Sequence, residues 1–314
     1  MGSSLRAKLG RRAEAIALAR SFFAERDIIE VDCLALSPKA SIDVNIDLFS
    51  TDSSLHGRRF LFSSPEFPMK RLLSRGSGDI FYLGHVWRHE ESGAKHSPEF
   101  LLAEWYRIGI SFSQMMEETV EFAETFIGKR NHNRLSYKDA FLRYAKIDPF
   151  TVSPLQLKEA CKGFEGYPIN DSSPDELLNL LLAIKVEPCL DPHSITILYH
   201  YPSSQAALAR QINDNTHLVA ERFEIYCEGL ELANGYHELA DPSEQKSRFL
   251  ADNAHRQNMG KEAYPIDENF LSALKRGLPD CCGVAVGVDR LLMIREGATS
   301  IGDVMPIAWE CSTS

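Results

Sequence analysis

The chain is organised around residues 224–238, which read EIYCEGLELANGYHE. Strand-forming residues alternate there with an unusual number of carboxylates. A turn near residues 227–229 would make Glu224 and Glu231 approximate cross-strand neighbours on a hairpin, where like charges repel, so we expect a cation between them. A Mg²⁺ ion held by the two carboxylates and by phosphate oxygens would provide that charge. The alternative interpretation is an acidic, solvated hairpin edge that opposes aggregation.

Composition limits the class of protein. The 314 residues are 44% hydrophobic, enough for one large domain or two ordinary ones. A net charge of -10 argues against a broad nucleic-acid surface, which requires a basic patch. The seven cysteines lack metal-binding spacing and indicate free thiols in a reducing compartment. No stretch has the pattern of a membrane span or a signal peptide, so we expect a cytoplasmic protein without membrane partners.

Residues 79–90 and 98–108 are two strand-like runs joined by a polar loop, which predicts an antiparallel hairpin. Period-2 alternation places Arg88 and Glu90 on one face of the first strand. On the second strand the alternation groups three further side chains on one face, namely Phe100, Glu104 and Tyr106. The alternative is a solvated sheet face with casual ion pairs.

Residues 283–290, GVAVGVDR, predict a strand with one bare face. Its valines point one way, while Gly283, Ala285 and Gly287 leave the other side almost without side chains. A flat ligand could lie against that side, and Arg290 follows at the start of a helix. Alternatively, the glycines mark a bulge or close packing without a ligand.

The remaining pattern predicts helices over 5–26, 66–74, 111–128, 241–258 and 268–276, and strands over 27–32 and 194–201. Residues 37–59 read as a surface connection, and residues about 129–190 as an insert of short helices. The fold class is therefore α+β, with a mainly antiparallel sheet flanked by helices, in a single domain spanning 1–314. Neither a GxGxxG nor a GxxxxGK[ST] motif is present.

These motifs resemble the catalytic domain of class II aminoacyl-tRNA synthetases. RHE at 88–90 and GVDR at 287–290 are similar to motifs 2 and 3. Three longer segments resemble the lysyl-tRNA synthetase group: SPEFPMKRLL (64–73), HSPEFLLAEWYR (96–107) and GLELANGYHEL (229–239). Within that group, the chain is most similar to the short paralogues that attach β-lysine to elongation factor P. Because the resemblance begins at the first residues, we expect no N-terminal anticodon-binding domain, and Ala285 stands where the synthetases have Gly.

The resemblance implies a set of site residues. For catalysis it implies Arg88, Glu231 and Arg290. For ATP it implies Arg88, His89, Glu90, His96, Ser97, Phe100, Glu231, Leu232, Gly287 and Arg290, with adenine stacked between Phe100 and Arg290. For Mg²⁺ it implies Glu231, with Glu224 as partner. For lysine or β-lysine it implies Ser64, Pro65, Glu66, Glu104, Tyr106, Asn234, Glu238 and Ala285.

The implied activity is ATP-dependent formation of a lysyl or β-lysyl adenylate and transfer to a lysine of elongation factor P, by a homodimer. Three positions depart from the synthetase pattern: His89 and Ser97 stand where Asn is usual, and Leu34 stands where motif 1, which builds the dimer interface, has Pro. One alternative is aminoacylation of tRNA, which the expected absence of an anticodon-binding domain and the negative charge disfavour. Another is a non-catalytic regulator, which the retained arginines disfavour.

Overall fold

The computed structural model describes residues 5–164 and 167–309, which form nine α-helices and twelve β-strands. The helices are α1 (Leu5–Ala24), α2 (Glu66–Leu73), α3 (Phe112–Ile127), α4 (Tyr137–Ala140), α5 (Pro154–Ala160), α6 (Pro174–Leu181), α7 (Pro242–Asn258), α8 (Glu268–Gly277) and α9 (Val288–Glu296). The strands are β1 (Ile29–Glu30), β2 (Leu36–Ser37), β3 (Ser50–Ser53), β4 (Gly57–Leu61), β5 (Ile80–Trp87), β6 (Glu99–Ile108), β7 (His132–Ser136), β8 (Ile195–Pro202), β9 (Gln211–Asn213), β10 (Leu218–Cys227), β11 (Leu230–His237) and β12 (Cys281–Gly287).

The chain divides into two compact units. The first comprises Met1–Lys129 and Glu238–Ser314. Its main sheet has the order β1-β5-β6-β12, with β1 parallel to β5 and the other pairs antiparallel. A second sheet has the order β2-β4-β3. In the core of this unit, the rings of Phe23 and Phe122 stack, and both contact Trp105 on β6.

The second unit is Arg130–His237. Its strands run in the order β7-β8-β10-β11, with β9 also on β10, and only the β7–β8 pair is parallel. Its core combines α4 to α6 with the sheet, and includes Tyr137, Leu181, Leu198 and Tyr226. Both units combine helices with mainly antiparallel strands, so the predicted α+β class is confirmed.

The helix starts follow their capping residues. Ser111 accepts a hydrogen bond from the Gln114 N–H, and the Gln114 side chain accepts one from the Ser111 N–H at 2.9 Å. This reciprocal capping box satisfies two backbone donors that a helix end leaves free. The Asp241 carboxylate likewise accepts from two backbone N–H groups at the start of α7. The predicted positions of α3 and α7 are confirmed. The sequence could locate both helix starts because the capping residues lie within four residues of them.

Several predicted boundaries are wrong. Residues 37–59 are not only a surface connection, since they contribute to the β2-β4-β3 sheet. The strand predicted over 27–32 is reduced to Ile29–Glu30, and the predicted helical insert contains strand β7. The strand predicted over 283–290 ends at Gly287, where α9 begins. Short strands with exposed polar residues carry little period-2 signal, which is why the pattern misses β3 and β7.

The six described cysteines are free thiols, and Cys311 lies outside the described residues. None of the helices within 5–164 and 167–309 has the length and apolar character that crossing a membrane requires.

Candidate active site

A row of predicted substrate residues lies along the paired strands β6 and β12 of the first unit. The register places Glu104 opposite Ala285, and Tyr106 opposite Gly283. Residues directly opposite each other in an antiparallel pair point to the same face, as do residues two apart on one strand. The four residues therefore share one face of the sheet.

Glu104 is held on this face by two hydroxyl groups. Ser64 Oγ donates to its Oε2 at 2.6 Å, and the Tyr106 hydroxyl donates to its Oε1 at 2.8 Å. The side chain is only 2% exposed. Burial and the charge of Glu66 raise the pKa of Glu104 to about 7, although the two hydrogen bonds oppose this shift. Near neutral pH, this carboxyl group can therefore take up or release a proton.

Glu66 and Glu238 meet at a buried lysine. The Lys70 ammonium lies 2.6 Å from Glu66 Oε1 and 2.5 Å from Glu238 Oε2. Burial alone would lower the pKa of Lys70, but the charges of Glu238 and Glu66 outweigh burial and raise it. Burial raises the pKa of Glu238 to about 8 against the opposing charge of Lys70. The ammonium group that we expected Glu238 to receive is provided here by the protein's own lysine.

Gly283 is packed rather than bare. A Cβ at this position would lie 2.3 Å from Tyr106 Cε1 and 2.4 Å from Glu238 Oε1, distances that no side chain tolerates. The expectation of an open strand face is therefore wrong at Gly283, because the pocket side chains themselves fill that space. At Gly287, in contrast, the nearest atoms are those of the Arg290 side chain, at 3.8 Å or more.

The β5–β6 hairpin carries residues that we predicted to bind the phosphates and the adenine of ATP. The Arg88 guanidinium carbon lies 5.1 Å from the centre of the Phe100 ring, and Phe100 is half-buried. Arg88 Nε and Ser97 Oγ are buried and have no hydrogen-bond partner within the described part of the chain. Buried polar atoms are normally paired, so two unpaired atoms at predicted ATP residues fit a ligand that would pair with them.

Arg290 and His96 contact each other, with Arg290 Nη2 at 2.8 Å from His96 Nε2. Burial, together with the charge of Arg290, lowers the pKa of His96, which favours its neutral form. In this arrangement Arg88 covers the Phe100 ring. Stacking of adenine between Phe100 and Arg290 stays a prediction.

His89 and Glu90 lie beyond the end of β5. The His89 N–H donates to the Asp47 carbonyl at 2.8 Å, and the His89 ring meets Phe49 edge-on. Glu90 has a φ of 66°, so the chain leaves the extended conformation there. The expectation that Arg88 and Glu90 share a strand face is therefore wrong, because alternation ends where the strand ends.

In the second unit, the predicted hairpin of residues 224–238 is confirmed, but its register differs from the one we expected. Glu228 and Gly229, both with positive φ, form the turn. Glu224 lies opposite Asn234, and Glu231 lies opposite Tyr226, so the two glutamates are not directly opposite each other but lie diagonally across the hairpin. Leu232 is skipped in the pairing and forms a bulge, which turns Glu231 and Asn234 to the same face.

The cation that we expected at Glu224 is an arginine. Arg222 Nη2 lies 2.5 Å from Glu224 Oε1, while Tyr201 and Tyr226 donate their hydroxyl hydrogens to Oε2. The metal role of Glu224 stays a prediction, and metal binding there would have to replace bonds in this network. Asn234 Oδ1 is buried and accepts no hydrogen bond from the described residues. The described ranges contain no group of three or more His, Cys, Asp or Glu side chains placed to hold a metal ion.

Pattern analysis missed Lys70, Arg222, Tyr201 and the bulge at Leu232. Lys70 had one detectable signal, since it lies four residues after Glu66 on the same helix face. Its second partner, Glu238, lies 168 positions later in the chain, so local spacing reveals neither this pair nor the burial of Lys70.

Comparison with known proteins shows the family. The family model for tRNA synthetases class II (D, K and N) matches residues 1–308. The chain belongs to this family. It is 42% identical over 306 residues to a protein of Yersinia enterocolitica named elongation factor P–(R)-β-lysine ligase, covering 95% of this chain and 94% of the relative. Proteins with the same name from Photorhabdus laumondii and Salmonella typhi are 42% and 43% identical, covering 95% and 94% of this chain and 94% and 93% of the relatives.

Proposed function

We propose that the chain is an ATP-dependent ligase that activates (R)-β-lysine, or lysine, and transfers it to a lysine side chain of elongation factor P. The observation that carries this proposal is the carboxylate pocket formed by the buried Glu104 and Glu238 and the half-buried Glu66 in a class II synthetase chain. Buried carboxylates are costly unless cations pair with them, so such a pocket suits a ligand with ammonium groups. The names of the relatives support the same substrate and acceptor.

The reaction has two steps. First, the amino acid carboxylate attacks the α-phosphorus of ATP, and pyrophosphate leaves to give a mixed anhydride with AMP. Then the amine of the acceptor lysine attacks the carbonyl carbon, loses a proton and expels AMP. Arg88 is the residue proposed to stabilise charge on the α-phosphate, and its unpaired, buried guanidinium Nε supports this role. Tyr106 and Glu104 orient the substrate.

ATP is the proposed cosubstrate and Mg²⁺ the proposed metal. Bound Mg²⁺ would neutralise phosphate charge, with Glu231 as its proposed carboxylate ligand. The proposal also includes a cytoplasmic location and a homodimer.

Ala285 is proposed to bias the pocket toward the β-amino acid. Its methyl group lies on the face that carries Glu104, where the backbone end of a bound α-amino acid would compete for space. Ala285→Gly should therefore raise the activation of α-lysine relative to β-lysine by about tenfold to two hundredfold, the usual discrimination of one methyl group. An unchanged ratio in steady-state adenylation would place selectivity elsewhere.

The function is tested by pyrophosphate exchange with (R)-β-lysine and with α-lysine, followed by transfer to elongation factor P and to tRNA. We expect exchange with a lysine isomer and transfer to elongation factor P. Absence of exchange with both isomers would contradict the proposal. Transfer to tRNA alone would favour the aminoacylating alternative, which the net charge of -10 disfavours.

A further inference from the structure

Lys70 is a fully buried charge that the two chemical steps do not use. Its side chain is 0% exposed, and its ammonium contacts Glu66 on its own helix and Glu238 just before α7. An unpaired ammonium group in this position would be strongly unfavourable, so the lysine depends on both carboxylates. The contact between Glu238 Oε2 and the ammonium opposes the rise that burial causes in the pKa of Glu238.

The charges of the pocket can be counted. When Glu66, Glu104 and Glu238 are ionised, they carry three negative charges, and Lys70 cancels one of them. Two negative charges remain, which equals the number of ammonium groups on either α- or β-lysine. Without Lys70, the same two ammonium groups would leave one carboxylate uncompensated in a buried site.

We propose that Lys70 is a positioning residue that holds Glu66 and Glu238 in place and favours the ionised form of Glu238, so that the pocket presents two negative charges to a substrate with two ammonium groups. This inference rests on the proposed lysine-activating function. It assigns the chain's own lysine a role in binding the substrate, without contact to the reacting atoms.

The role of Lys70 has a consequence for pH. The titratable groups that interact with Lys70 or with its partners are Glu66 on α2, Glu104 and Tyr106 on β6, Cys281 on β12, and Glu238. Burial raises the pKa of Glu104 to about 7 and that of Glu238 to about 8, so the empty pocket holds protons at neutral pH. Ammonium groups can enter only as those protons leave. The KM for the amino acid should therefore fall as the pH rises through this range.

The test is Lys70→Met, a neutral side chain of similar length. Lys70 favours the ionised form of Glu238, so its removal should raise the pKa of that carboxyl group, and the fall in KM should move to higher pH by about 1–3 units. At pH 7 this corresponds to a KM at least about tenfold higher, with a smaller change in kcat. The measurement is pyrophosphate exchange with (R)-β-lysine between pH 6 and 9, with circular dichroism as the check of folding.

Lys246→Met is the matched control, since Lys246 forms an exposed ion pair with Glu268 and should leave the profile unchanged. Lys70→Arg retains the positive charge and should keep the KM profile near that of the wild type. A Lys70→Met profile that superimposes on the wild type overturns the inference, as does a Lys70→Arg profile shifted as far as that of Lys70→Met.

If both Lys70 variants fail to fold, calorimetry of (R)-β-lysine binding to the wild type at pH 7.5 in two buffers of different ionisation enthalpy replaces them. Net proton release is expected, and zero release or proton uptake overturns the inference. A wild type that exchanges pyrophosphate with neither lysine isomer contradicts the proposed function, and the inference falls with it. An active wild type without the KM shift contradicts only the role of Lys70.

Discussion

At the scale of single residues, the buried carboxylates that suit the pocket for a cationic ligand lower the stability of the substrate-free protein. Glu104 is buried and accepts hydrogen bonds from the hydroxyl groups of Ser64 and Tyr106, and its pKa rises to about 7. A carboxyl group whose pKa is higher in the folded than in the unfolded chain favours folding at low pH, and this contribution disappears as the pH rises through the folded-state pKa. The contribution of Glu104 to stability is therefore lost as the pH rises from the ordinary pKa of 4.5 to about 7.

We expect Glu104→Gln to stabilise the substrate-free protein at pH 8 by about 1–3 kcal/mol and to change stability little at pH 4. The amide resembles the protonated carboxyl group and cannot ionise, so it avoids the burial of a charge. Urea unfolding at the two pH values measures the effect, with the exposed Glu262→Gln as control. A gain of equal size at both pH values would contradict the titration argument. Lysine activation should be lost.

Arg88→Ala should raise the activation free energy of adenylate formation by ~2–4 kcal/mol, the effect typical of removing one donor to transition-state charge. Arg88→Lys should restore only part of this rate, because a point charge cannot reproduce the geometry of a guanidinium group. Single-turnover measurement of adenylate formation separates this step from transfer. A fully active Arg88→Lys variant would exclude the proposed role of the guanidinium.

At the scale of elements, the β10–β11 hairpin depends on its turn. Gly229 has a φ of 71°, in the left-handed region that glycine adopts without strain, and a Cβ there would meet no atom within 4 Å. The backbone conformation alone therefore determines the effect of a side chain at this position. The bulge at Leu232, two residues into β11, then sets which side chains share a face.

Gly229→Ala should lower the free energy of unfolding by about 1–2 kcal/mol, the cost of left-handed backbone for an L-residue. Gly10→Ala is the matched control: Gly10 lies inside α1, also with open space around its Cβ, but in helical conformation. That change should stabilise the protein by about 0.5–1 kcal/mol. Denaturant unfolding compares the two variants, and effects of the same sign would refute the backbone explanation.

At the scale of the whole molecule, residues close to the two ends of the chain pair with each other. Arg12 on α1 forms a buried ion pair with Asp289 on α9, 277 positions later, and the other Asp289 oxygen accepts the Leu101 N–H at 2.7 Å. One carboxylate thus connects α1, β6 and α9 of the first unit, directly beside Arg290. The neighbouring Arg11 also pairs with α9, through Glu296, but both of those side chains are partly exposed.

Arg12→Met should destabilise the protein by about 3–5 kcal/mol, because it leaves the buried Asp289 charge without its partner. Arg11→Met should cost less than about 1 kcal/mol, since water screens an exposed pair. Thermal or urea unfolding of both variants gives the comparison. Equal losses of stability in the two variants would mean that the buried Arg12–Asp289 pair contributes no more to stability than the partly exposed Arg11–Glu296 pair.

What the sequence by itself determined lies within short stretches of chain. Ser111 with Gln114, and Asp241 with Pro242, locate helix starts because capping acts within four residues. The β5–β6 and β10–β11 hairpins follow from strand runs separated by short polar turns. The motifs around Arg88 and Arg290 identify the family, which the match over residues 1–308 confirms.

The tertiary structure alone decided which charges meet. Lys70 lies between Glu66 and Glu238, Arg222 takes the place of the cation expected at Glu224, and Tyr106 fills the space above Gly283. The Lys70–Glu238 pair joins distant segments, and the contact of Tyr106 with Gly283 depends on strand register, whereas Arg222 and Glu224 are only two residues apart on β10. A shift of one residue in a strand, such as the bulge at Leu232, sends every later side chain to the opposite face, and no local pattern encodes that shift.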